Sequence, residues 1–219
     1  ANTYNAEVGL DYTDFDGDAS AIGLYGVYHF TEVDTSNKPL AEAAFLQKRS
    51  YIAAGHAEFD ADGAGSTDAQ VVAVGFYIPN SIFYVGAQYQ KNEDWNDTTL
   101  TLGVTPIDGL LISTSHNKEA DDYVANLEAK YVRPLSGDTA INLEAGFVDG
   151  EDGADNAISL AADYYFTSYF SVGAMVEDEG ESAYGLRTRY FFNDSFSVNG
   201  EVISSDDADQ FSIGAAFRF

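Results

Sequence analysis

The sequence predicts an all-β protein: a closed, antiparallel, up-and-down transmembrane β-barrel of about fourteen strands, with twelve as the alternative. Three observations lead there. Apolar side chains recur at every second position along most of the chain, and helical spacing is rare. The segments between these runs alternate in chemistry, acidic and Gly-rich at one connection, short and aromatic at the next. No apolar run reaches the roughly 18 residues of a helical span, whereas a barrel needs apolar residues only on its outer face.

The runs follow in order. Tyr4, Ala6, Val8, Leu10 and Tyr12 share one face and leave Glu7, Gly9 and Asp11 on the other, which predicts a strand over 2–13. Ile22, Leu24, Gly26, Tyr28 and Phe30 do the same for 20–31, and a third strand covers 48–59. Residues 69–78 are apolar on both faces, and Phe83, Val85, Ala87 and Tyr89 set out 82–92. The Thr-rich stretch 97–117 divides at Pro106-Ile107-Asp108-Gly109 into 97–105 and 110–117; reading it as no hairpin gives the twelve-strand count. Tyr123 to Tyr131 supplies 122–132, and further alternating runs supply 139–148, 156–166, 169–177, 182–192, 195–204 and 210–219.

An up-and-down sheet puts alternate connections at opposite rims. Asp14 to Asp18, Asp60 to Asp68, Glu93 to Asp97, Lys118 to Asp122, Asp149 to Asp155, Glu177 to Glu181 and Ser204 to Asp209 therefore crowd one rim with carboxylates. The other rim receives the short aromatic turns around Pro79, Thr167 and Asp194, and an even strand count returns both termini to it. One connection there, 32–47, is long for a tight turn, and Pro39 is placed to open a short helix. It is either a packed loop or arm, or a segment that folds into that mouth and narrows it. The whole of 1–219 reads as one barrel domain.

The balance of charge narrows the function. With 36 acidic against 10 basic residues, a net charge of −26, the chain lacks the clustered cations of a nucleic-acid binder. Without cysteine there is no disulfide framework, thiolate metal site or cysteine nucleophile. A hydrophobic content of 45% is too high for a disordered acidic chain. Ala1-Asn2-Thr3 has the look of an end left by signal-peptide removal. No cofactor is expected.

Fourteen strands enclose more space than side chains fill, so the lumen is expected to hold water. Facing it, by parity, are the acids Glu7, Asp11, Glu58, Glu128, Glu144, Asp163, Glu177 and Glu201 and the bases Lys48, Lys130, Arg187, Arg189 and Arg218. Arg187 and Arg189 either brace the wall against carboxylates such as Asp163 or Glu201, or, with Lys130 and Arg218, set a field across the pore. The loops Asp14-Phe15-Asp16-Gly17-Asp18, Asp60-Ala61-Asp62-Gly63 and Asp149-Gly150-Glu151-Asp152-Gly153 space carboxylates as calcium loops do, but lack the full twelve-residue pattern, and no metal is assigned. His56 and Glu58 are the one pair with the spacing of a catalytic dyad, and read better as a hydrogen bond.

These ten-residue dyads, aromatic turns and the terminal Phe217-Arg218-Phe219 resemble a Gram-negative outer-membrane β-barrel. The segment from Asn37 to Leu46 is similar to one in a porin family of marine and related proteobacteria. The resemblance implies outer-membrane location, periplasmic turns, extracellular acidic loops, and Phe217 and Phe219 as the signal read by the barrel-assembly machinery. It implies contact with membrane lipid and lipopolysaccharide. Some barrels of this class are enzymes, but no Gly-x-Ser-x-Gly elbow occurs here and no catalysis is expected. The function expected is passive diffusion of small hydrophilic solutes and ions, with cations preferred at the outer mouth, through a monomer. A structural or adhesive barrel and a barrel hydrolase are the alternatives.

Overall fold

Side chains that alternate across a strand can bury neither face alone, and in lipid every backbone donor and acceptor must find a partner. The chain meets both demands by closing on itself. The computed structural model describes residues 3–16, 18–150, 153–206 and 208–219. Fourteen antiparallel strands follow one another around a closed barrel: β1 (Thr3–Phe15), β2 (Ala19–Asp34), β3 (Tyr51–Ala61), β4 (Gly65–Tyr77), β5 (Phe83–Asn92), β6 (Asn96–Val104), β7 (Leu110–Asn117), β8 (Asn126–Pro134), β9 (Ala140–Val148), β10 (Ala157–Thr167), β11 (Phe170–Asp178), β12 (Ser182–Phe191), β13 (Phe196–Ser205) and β14 (Asp209–Arg218). The fourteen-strand reading therefore holds and the twelve-strand alternative does not.

The closing seam pairs β1 with β14 from Glu7 opposite Arg218 to Phe15 opposite Gln210. Phe219 finishes it, its carbonyl accepting from the amides of Asn5 (3.0 Å) and Ala6 (2.9 Å) while its own amide donates to Ala6. Thr3 and Phe219 both lie at the aromatic-turn rim. Outside, Leu10, Leu24, Leu102, Leu186, Ile213 and their neighbours stand exposed around the circumference. A protein in water does not present such a band. At the turn rim it ends in a chain of ring contacts through Tyr164, Phe166, Phe170, Tyr190, Phe192 and Phe196, with centroids 4.9–6.2 Å apart. Amphipathic and aromatic rings favour this level of a membrane interface.

Two local departures change which way side chains point. A bulge between Tyr4 and Ala6 reverses the parity at the start of β1, so Tyr4 faces inward instead of lying with Val8 and Leu10. There its ring meets His29 edge-on at 5.7 Å. The seam between β7 and β8 has only four register pairs, Leu110–Ser113 against Tyr131–Glu128, because β8 begins at Asn126 and not at 122. The amide of Asn126 completes the ladder in place of backbone: its Oδ1 accepts from the Ser115 amide (2.8 Å) and its Nδ2 donates to the Ser115 carbonyl (2.7 Å).

The long β2–β3 connection is the main departure from a simple barrel. Pro39 caps a 3₁₀ turn, Leu40–Glu42, which runs into a single helical turn, α1 (Ala43–Leu46). Lys48, at φ 51°, turns the chain back toward β3. Gln47 ties the base to the wall, its Oε1 accepting from the Asp34 amide and its Nε2 donating to the Asp34 and Ala43 carbonyls. The tip reaches the far side of the barrel: the Leu40 amide donates to the carbonyl of Ser168, in the β10–β11 turn, at 2.9 Å. β10 is the seventh strand on from β3 in either direction, half the circumference. Around the tip, Val33, Leu40, Ala43, Val132, Ala140, Tyr165 and Phe191 are all buried. The turn-side end of the lumen is therefore packed with protein around this segment.

Candidate functional site

The inward face above this packed end carries the charged residues, and small residues determine how they lie. On the β9–β12 wall, Asp163 and Arg187 sit either side of Gly173, in register with both. A Cβ at Gly173 would fall on Asp163 Oδ1. The missing side chain opens a lane over β11, through which Arg187 Nε donates to Asp163 Oδ1 at 2.8 Å while Nη2 reaches both Asp163 Oδ2 and Glu144 Oε2. Asn142 Nδ2 donates to the same two carboxylates, at 2.9 Å to Asp163 and 3.1 Å to Glu144. Gly214 plays the same part further round: Asp11 and Asn199 flank it in register and meet across it in a hydrogen bond.

A second cluster centres on Glu7. Its Oε2 takes the Nε–H of Arg218 and lies 3.5 Å from Arg189 Nη2, and its Oε1 accepts from the Tyr25 hydroxyl at 3.0 Å. Arg218 is 4% exposed, sandwiched between the rings of Tyr4 and Phe191 at 4.6 Å from each, and its Nη1 donates to the Leu40 carbonyl at 2.8 Å. The third cluster fastens the inserted segment: Glu42, 7% exposed, accepts from Tyr165 Oη at 2.7 Å and pairs with Lys130 Nζ at 2.9 Å. Lys130 also lies over the Phe45 ring at 5.2 Å. A charge is buried this deeply only with partners, and Glu42 has two.

Most of the residues placed inward by parity lie there: Glu7, Asp11, Glu128, Glu144, Asp163, Glu177, Glu201, Lys130, Arg187, Arg189 and Arg218. Two do not. Glu58 pairs with Ile22, and His56 with Leu24, both on the exposed outer face, so this pair points outward. Near the loop rim the outer face rises beyond the apolar band and admits polar residues, so polarity there no longer marks the inside. His56 Nδ1 lies 4.0 Å from Asp68 Oδ2, not in a dyad with Glu58. Lys48 belongs to no strand, because β3 begins at Tyr51 and Lys48 closes the helical turn. Arg218 serves as an anchor under the inserted segment and does not face open lumen.

Sequence reasoning missed Glu42, Tyr165, Asn142, Tyr25 and Asn199. A signal for Glu42 existed, a lone carboxylate within the apolar stretch Leu40 to Phe45. Toward the loop rim, Glu128, Glu177 and the neighbouring loop acids line a cavity of about 890 Å³. Among the described residues no three His, Asp or Glu side chains gather to hold a metal. Of the three acidic loops, Gly17, Glu151 and Asp152 lie outside the described residues.

The geometry agrees with what the chain resembles. A family model described as "Putative general bacterial porin" matches residues 1–124 and 104–219. The crystal structure of the Acinetobacter baumannii outer membrane protein Omp33 superposes with a TM-score of 0.84 and 26% identity, covering 99% of each chain. The KdgM porin gives 0.54 at 12% identity over 97% of this chain and 99% of its own. A Rhodopseudomonas blastica porin variant gives 0.52 at 14% over 98% and 99%; these two speak for the fold alone. No curated protein sequence matches. With a closed fourteen-stranded barrel, an apolar outer band and a family match from end to end, the chain belongs to this family of general bacterial porins.

Proposed function

We propose that the protein is an outer-membrane diffusion channel that prefers cations and whose turn-side mouth is controlled by the segment between β2 and β3. Family membership supports the channel and its membrane. The finer reading rests on one observation: Glu42 and Leu40, carried across the lumen from the β2–β3 side, are held by Lys130, Tyr165, Ser168 and Arg218 on strands and a turn of the far side. Polar fastening suits a part that moves, since its groups find equivalent partners in water once released, whereas a purely apolar plug would expose its core.

The cation preference follows from unequal pairing. Arg187 is shared by two carboxylates and Lys130 is taken by Glu42, which leaves Asp11, Glu201, Glu128 and Glu177 without a cationic partner in any ion pair among the described residues. A channel lined by free carboxylates concentrates cations and repels anions. The turn-side rim faces the periplasm in this reading, so the acidic loops face outward and meet incoming solutes first.

The test is a planar-bilayer recording across a salt gradient. Cation preference gives a reversal potential toward the cation equilibrium value, declining as salt rises because the Debye length shrinks from about 10 Å at 0.1 M to about 3 Å at 1 M. A reversal potential of anionic sign refutes the preference. One observation favours a second reading, a closed structural barrel: the turn-side end is packed. That reading requires no conductance both from the native chain and from a chain with residues 36–48 replaced by a Gly-Ser linker.

A further inference from the structure

Directly on the loop side of Ala41 and Glu42 lies a cavity of about 410 Å³ walled by β1, β2 and β8–β13. Pockets that hold small solutes begin at about this size. Its charges are not balanced against one another. Lys130 and Arg187 are fully engaged by Glu42, Asp163 and Glu144. Three charged groups on this wall keep free valence. Glu201 makes no hydrogen bond or ion pair among the described residues, although it stands opposite Arg187 in register, because Gly173 lets that arginine turn the other way. Asp11 has the neutral Asn199 and no cation in ion-pair contact. Arg189 is only partly engaged: its guanidinium lies over the Phe191 ring and its Nη2 donates to Ser197 Oγ at 3.2 Å, its nearest carboxylate, Glu7 at 3.5 Å, is already taken by Arg218, and its buried Nε has no acceptor. One neutral group adds to them: Asn142 is 1% exposed, lines the same cavity, and its Oδ1 has no donor.

We propose that this cavity is a binding station for a basic α-amino acid, a solute with two ammonium groups and one carboxylate. The pattern of free valence is its complement: two carboxylates, Asp11 and Glu201, for the ammonium groups, and one guanidinium, Arg189, for the carboxylate. Asn142 Oδ1 supplies a neutral acceptor on the opposite side. A simple metal cation leaves Arg189 unmatched, and an anionic solute meets two carboxylates. The inference rests on the channel reading, because it places the station in the path of permeation, immediately before the gate.

Isothermal titration calorimetry on the purified barrel in detergent tests it, with L-lysine, cadaverine and L-glutamate as probes. Cadaverine has both amines and no carboxylate. L-lysine is expected to bind at least tenfold tighter than cadaverine, and L-glutamate to give no saturable heat. Glu201→Gln should weaken L-lysine and cadaverine alike by tenfold or more. Arg189→Gln should weaken L-lysine alone and erase its advantage over cadaverine. If Arg189→Gln does not fold, judged by heat-modifiable gel migration, Arg189→Lys keeps the charge without the fork and should shrink the advantage. Equal binding of L-lysine and L-glutamate, no L-lysine binding, or an unchanged Glu201→Gln protein overturns the proposal. Conductance in KCl separates this from the channel reading: a barrel that conducts but ignores L-lysine loses only the station, and one that binds L-lysine without ever conducting loses only the channel.

Discussion

Glu42→Gln removes one negative charge from the tip contact of the inserted segment that is, among the described residues, its one ion pair to the far wall, and the size of the effect can be worked from the geometry. Glu42 makes two hydrogen bonds, 2.9 Å to the ammonium of Lys130 and 2.7 Å to the Tyr165 hydroxyl. Glutamine keeps an acceptor for Tyr165 but turns an amide donor, or a far weaker acceptor, toward Lys130. A hydrogen bond to a charged group is worth about 1.5–3 kcal/mol. Lys130 retains 28% side-chain exposure, so water recovers part of that loss. A net of about 2 kcal/mol remains, which is about a thirtyfold change in the closed-to-open ratio. Two other tip contacts survive, Leu40 to Ser168 and Arg218 to Leu40, so the variant should open more often and still close. Single-channel recording reads this as open probability at fixed voltage. Lys130→Met should give a similar increase, and the double variant should add little to either single one, since both break one pair. The reasoning fails if Glu42→Gln leaves open probability unchanged while replacement of 36–48 by a flexible linker raises it; the segment would then close the pore without this latch.

Other perturbations test the wall and the seam. Neutralising Arg187 and Arg189 together should raise the cation-to-anion permeability ratio several-fold, because Asp163 and Glu144 lose the cation they share; an unmoved reversal potential contradicts the assigned pairing. Gly173→Ala should lower thermal stability by about 1–3 kcal/mol, since the new methyl takes the space of Asp163 Oδ1, and a wild-type melting curve would show that no lane is needed. Phe219→Ala keeps the three backbone hydrogen bonds of the closing seam and removes only the ring, so it should reduce yield in the outer membrane while refolded protein unfolds normally; equal yield rules out a role as assembly signal. Asn126→Ala should cost about 1–3 kcal/mol and increase hydrogen exchange at Ser115, whose amide and carbonyl both depend on the Asn126 side chain.

How far the sequence could be read depended on whether a residue's surroundings were set by its own strand or by a distant one. Strand number and rim chemistry follow from period and turn residues, which are local, so β9 to β14 lie within a residue of their expected limits. Inward and outward facing also follows from period, but only while lipid keeps one face apolar. It fails at Tyr4, where the register shift between Tyr4 and Ala6 reverses the alternation, and at Glu58, which stands outside near the loop rim, where the outer face also carries polar groups. The candidate site was legible as a set of charges but not as a set of pairs. Whether Arg187 turns to Glu201 or to Asp163 depends on Gly173 on the strand between, and a glycine in an alternating run looks like any other inward position. Glu42 was beyond reach for the same reason at longer range. Its partners lie on β8 and β10, more than eighty residues on, and only closure of the barrel brings that wall opposite the β2–β3 connection. The residues that fasten the inserted segment are therefore a property of the closed ring, and a change in strand number would move Lys130 and Tyr165 away from Glu42 even with every strand intact.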